Sequence, residues 1–143
     1  MYNGGFEQST IAGIADGWRP HKSSEMISDE SYAFEGINAM RLSDGGWLNY
    51  PALVEKGMTI KLSGHVRSET KVQNGYLKIL FKDQAQNTLQ SKQISFETNS
   101  VWTEKELIAK VPDNVWSAWI VLQAGEDSNI DFDAVELTVI KQP

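Results

Sequence analysis

The chain has 143 residues, no cysteine and a net charge of −6. That length fits one domain with a full-sized core, and 41% hydrophobic against 22% charged residues argues against disorder. The missing cysteines exclude disulfides, thiol chemistry and Cys-ligated metal sites, while the acidic balance, with scattered lysines and arginines, argues against nucleic acid or an anionic membrane as partner.

No charged-then-apolar secretory signal opens the sequence, and no stretch approaches the roughly 20 apolar residues needed to cross a bilayer. Turn dipeptides arrive often: Asn3-Gly4, Asp16-Gly17, Asp44-Gly45-Gly46, Lys56-Gly57, Asn74-Gly75, Pro112-Asp113 and Gly125. Such punctuation between short apolar runs predicts an all-β sandwich, with long loops in the first fifty residues. In Trp47–Val54 the register that buries Leu48, Tyr50, Ala52 and Val54 turns Trp47 and Asn49 outward. In Thr59–Arg67, Ile60, Leu62, Gly64 and Val66 alternate with Lys61, Ser63, His65 and Arg67. In Tyr76–Lys82, Leu77, Ile79 and Phe81 alternate with Tyr76, Lys78, Leu80 and Lys82, again the period of a half-buried strand.

Thr103–Val111 allows a short helix through Leu107, Ile108 and Val111, but Leu107, Ala109 and Val111 suit a strand, which we prefer. In SAWIVLQA, Ala118, Ile120 and Leu122 read as core, leaving Trp119, Val121 and Gln123 on the other face. The last strand holds a contradiction. Ile130 and Phe132 are even-numbered, whereas Val135, Leu137 and Val139 are odd. No single face accommodates both sets, so a bulge is expected between Phe132 and Val135, with Asp133 at the slip.

The motifs NGGFE (Asn3–Glu7), Gly17-Trp18, GMTIKLSGHVRS (Gly57–Ser68), Trp102, VPDN (Val111–Asn114) and IDFDAVEL (Ile130–Leu137) follow in that order over nearly the whole chain. Together they resemble carbohydrate-binding modules of the family 4, 9 and 22 type. The departures are Met58-Thr59-Ile60 where an aromatic is common, and Ala134 where a second Asp is usual. The resemblance implies a single jelly roll over residues 1–143, with the galactose-binding-domain-like fold. It also implies a structural calcium tying the N-terminal segment to the last strand, with Glu7 and Asp133 among its ligands. Calcium takes six to eight hard oxygens, which two carboxylates and loop carbonyls can supply. The residues alone also allow Asp133 as a hydrogen-bonded bulge residue without metal. The resemblance further implies a place outside the cell or on its surface, as a module of a larger enzyme or surface protein.

Catalytic chemistry finds little purchase. Two histidines, His21 and His65, cannot make a three-histidine metal site, and no G-x-S-x-G occurs. No activity is expected. Five tryptophans point instead to binding, because an exposed indole is costly unless it is used. Trp18 and Trp102 are expected to pack, and Trp116 to lie near a loop. Trp47 and Trp119 become candidate platforms for the C–H faces of sugars, with Asn49, His65, Arg67, Lys78 and Gln123 as polar partners. This groove assumes that Thr59–Arg67 and Tyr76–Lys82 share the outer face of one sheet. Read blandly, the same residues are a solvated face, with Arg67 and Lys78 paired to Glu69 and Asp83. The leading expectation is a non-catalytic polysaccharide- or glycan-binding module. The alternative is a structural or interaction sandwich of an adhesin, surface or phage protein, without a sugar site.

Overall fold

A computed structural model describes residues 3–11, 13–69 and 72–143. Two five-stranded antiparallel sheets face each other. The first runs in the order β1 (Arg19–His21), β4 (Trp47–Ala52), β9 (Ser117–Ala124), β6 (Gln73–Lys82), β7 (Thr88–Thr98). The second runs β2 (Ser24–Ser28), β3 (Asn38–Ser43), β10 (Asn129–Lys141), β5 (Thr59–Arg67), β8 (Thr103–Lys110). The expected sandwich is present, and residues 103–110 form a strand paired along its length with β5. The first fifty residues hold four short strands besides their loops.

Period-two patterning builds the core. Leu77, Ile79 and Phe81 of β6 and Ala118, Ile120 and Leu122 of β9 are fully buried, facing Met40, Leu42, Ile60, Leu62 and Phe132 of the other sheet. Each such large apolar side chain contributes about 1.5–3 kcal/mol. Trp18 continues the core as an aromatic chain, its ring 5.5 Å from Phe6 and 5.1 Å from Tyr50. Its indole N–H donates to the Asn3 carbonyl at 3.0 Å.

The phase slip in β10 is a bulge. Asp133 pairs with His65, but the next partner of β5 is Glu136, opposite Ser63. Ala134, at φ +48°, carries the turn. Val135 N–H then leaves the ladder and donates to the Gly4 carbonyl at 2.9 Å. The N-terminal NGGFE segment is therefore held at the bulge, and Ile130 and Phe132 before it and Val135 after it are all buried.

Candidate functional site

The register of the first sheet sets three outward rows. One row is His21, Trp47, Gln123, Tyr76 and Ser95; the next is Arg19, Asn49, Val121, Lys78 and Gln93; the third is Pro51, Trp119, Leu80 and Ser91. Trp47 and Trp119 are both half-buried. They lie four residues apart along β4 and its partner, roughly 13 Å in the strand direction, with the polar row between them. His21 rests on Trp47 with ring centroids 4.7 Å apart. Lys78 Nζ sits 5.1 Å from the Tyr76 ring centroid, and Lys82 Nζ 4.2 Å from that of Trp119, within cation–π range. Lys82 is only 8% exposed and donates to Thr88 Oγ1 at 2.8 Å. Asn49 is 4% exposed, and its Oδ1 has no hydrogen-bond partner among the described residues. A buried acceptor of this kind is costly unless something donates to it. Beside the rows lies an open depression of about 510 Å³, bordered by Lys22, Tyr76, Lys78, Gln93, Gln123 and Glu126. A larger hollow of about 620 Å³ lies near β7 and β8, but no tryptophan or tyrosine lines it.

Five expected site residues thus share one face: Trp47, Asn49, Lys78, Trp119 and Gln123. His65 and Arg67 do not join them, which corrects the expected groove. They belong to β5 in the second sheet, whereas Lys78 belongs to β6 in the first. Alternation places a residue outward from the core but leaves open which of two sheets carries it.

On the second sheet His65 and Arg67 lie beneath the segment between β2 and β3. Phe34 stacks on His65, with centroids 3.7 Å apart and planes at 16°. The Arg67 guanidinium lies 4.4 Å from the Tyr32 ring centroid and 5.8 Å from that of Trp102. The Trp102 indole N–H donates to the Tyr32 carbonyl at 3.1 Å. Below them Asp131, 1% exposed, accepts from Arg41 Nε at 2.8 Å and from the Tyr32 hydroxyl. Burial, then the Asp131 carboxylate, pushes the Tyr32 phenol up to about 12. His65 and Arg67 anchor this cover and Trp102 packs under it. Glu69 pairs with Arg41 at 3.1 Å.

Glu7 and Asp133 grip the same segment. Glu7 Oε1 accepts from the Ile37 and Asn38 amides at 2.8 and 3.2 Å, and Asp133 Oδ2 from the Glu35 amide at 3.1 Å. Gly36 between them has φ +63°, and a Cβ there would meet Glu7 Oε1 at 1.8 Å. Asp133 is fully buried, and burial raises its carboxyl to about 6 against the opposing pull of the Glu35 amide. No ion pair among the described residues reaches it. A buried carboxylate short of positive charge, with the Glu35 carboxylate acting on it and the N-terminal segment held at the same bulge, suits a hard cation. Three acidic or histidine side chains do not converge among the described residues, so main-chain oxygens would complete the shell.

Reasoning from sequence missed His21, Tyr76, Lys82 and Gln93 on the first-sheet face. Tyr76 and Lys82 stood in the outward set of their strand; His21 and Gln93 gave no comparable signal.

No protein-family model matches the chain, and no curated protein matches its sequence. Solved structures do share its fold. The CBM22-1 xylan-binding domain of Xyn10C from Paenibacillus barcinonensis superposes with a TM-score of 0.75 at 12% identity, over 97% of this chain and 93% of that one. TmCBM61, solved with β-1,4-galactotriose, gives 0.70 at 18% identity over 97% of each chain. The enzymatically active domain of tailspike protein 4 of bacteriophage CBA120 gives 0.75 at 15% identity, over 98% of this chain. This chain spans only 21% of that tailspike chain. The protein has the jelly-roll sandwich fold of the carbohydrate-binding modules to which its motifs pointed.

Proposed function

We propose that the protein is a non-catalytic module that binds a polysaccharide or cell-wall glycan across the outer face of the first sheet, outside the cell or on its surface. One observation carries this reading: Trp47 and Trp119 stand half-exposed on one face, with the polar row of Asn49 and Lys78 between them. Indole faces stack on the C–H faces of pyranose rings, and the partly exposed Lys78 and Gln123 beside them can meet sugar hydroxyls. The separation of the two indoles calls for an oligosaccharide rather than a single sugar. The xylan-binding and galactotriose-bound neighbours of the same fold agree with this class of ligand. The covering of His65 by Phe34 speaks against its use as a general base.

Affinity electrophoresis against a panel of soluble polysaccharides tests the reading. At least one polymer should retard the protein, and Trp47→Ala together with Trp119→Ala should abolish the retardation while the fold survives. If none retards it, the interaction domain without a sugar site takes its place; if the double variant is retarded as wild type, the sugar-binding site does not lie on this face.

Calcium is part of the proposal. Glu7 and Asp133, with main-chain carbonyls of the N-terminal segment, would hold it as a clamp on the segment between β2 and β3 and take no part in sugar binding. When bound, the ion supplies the positive charge that the buried Asp133 lacks. Exhaustive removal with EDTA should lower the thermal midpoint and added calcium restore it, because a ligand of the folded state stabilises in proportion to its concentration. An unchanged midpoint would remove the ion from the account.

A further inference from the structure

We propose that the glycan taken by this face is anionic, a uronic-acid polymer whose ring carboxylates are met by Lys78 and Lys82. The inference rests on the sugar-binding reading above and names its substrate class. The chain carries a net charge of −6, yet Arg19, Lys22, Lys78 and Lys82 lie on or beside this face. None of them forms an ion pair among the described residues. All the ion pairs found there lie on the second sheet or at its margin, through Arg41, Lys61 and His65.

Lys82 is the sharpest case. The residue is 8% exposed, its Nζ lies 4.2 Å from the Trp119 ring centroid and donates to Thr88 Oγ1 at 2.8 Å, and neither neighbour carries an opposing charge. A buried charge without a partner costs free energy, and a carboxylate brought to the edge of Trp119 recovers part of it. Lys78 repeats the arrangement in the polar row, on the row of Asn49 with Val121 between them. That row therefore offers a partly exposed cation for a sugar carboxylate. Single lysines spaced along the sheet suit one monoanionic group per ring, whereas phosphate is better held by a clustered arginine fork. The acidic molecule as a whole repels the closely spaced phosphates of nucleic acid.

Native gels containing polygalacturonate, alginate or glucuronoxylan provide the test, each polymer set against a counterpart whose carboxylates have been reduced to alcohols. At least one uronan should retard the protein, and its reduced form should bind about tenfold more weakly, the factor that one charge-assisted hydrogen bond carries. Lys78→Gln should weaken binding of the intact polymer while leaving that of the reduced one nearly unchanged, and adding Lys82→Gln should bring the intact polymer down to the level of the reduced one. Lys92→Gln, which lines the hollow near β7 and β8, should not. Equal retardation by intact and reduced polymers, or retardation by neutral polysaccharides alone, overturns the anionic ligand and leaves glycan binding standing. No retardation by any polymer overturns both. Retardation by single-stranded DNA as strong as by a uronan shows plain polyanion attraction and also overturns the proposal.

Discussion

Asp133 shows how far one side chain can commit a fold. Burial raises its carboxyl from an ordinary 3.8 to about 6 in the folded protein. A folded state with the higher pKa binds the proton more readily than the unfolded chain. Without metal, this group therefore favours folding at low pH and loses that contribution as pH rises from about 4 to 6. The loss is roughly 2 to 3 kcal/mol, and urea unfolding across that range should show it, with Asp133→Asn flattening the slope. Calcium reverses the sign. A cation beside the carboxylate holds its pKa down, so stability is then present above pH 4 and lost on acidification. Parity made this residue legible: Ile130 and Phe132 are out of step with Val135 and Leu137, so the chain had to slip beside Asp133. The amides of residues 35, 37 and 38 that accompany the acids left no trace in the sequence, because any residue supplies them.

Among the elements, the segment between β2 and β3 matters most, since it closes the outer face of the second sheet. Arg41 and Tyr32 bind Asp131 beneath it, while Arg67, His65 and Trp102 hold its aromatics. Arg41→Met should cost about 3–5 kcal/mol in denaturant unfolding, because it leaves the Asp131 carboxylate buried without its cation. Adding Asp131→Asn should recover much of that loss. A small effect of the single variant would mean that the segment lifts and lets water reach Asp131. Strand faces could be read from alternation, but sheet membership could not. β5 and β6 have equally regular patterns and adjoin in sequence, yet the chain crosses between sheets from one to the other. His65 and Arg67 fall on the other sheet for that reason, while Trp47, Asn49, Lys78, Trp119 and Gln123 share the outer face of the first.

At the scale of the molecule, the two outer faces differ in what they do. The second spends its arginines, histidine and aromatics on holding a cover. The first keeps its indoles partly exposed and, among the described residues, its lysines unpaired with carboxylates. The overall charge of −6 concealed this, because a sum over the chain carries no information about where charges gather. Sandwich architecture was legible throughout, being written in turns and alternation. The open face was legible only where a tryptophan marked it. In mutational terms the division has a consequence: much of what locks the fold lies in the core, at the bulge and under the cover. Positions of the first sheet's outer face such as the partly exposed Lys78 and the exposed Ser91, Gln93 and Ser95 can be exchanged with little effect on those contacts. The outer face of the first sheet is thus free to diverge while the scaffold beneath it stays the same.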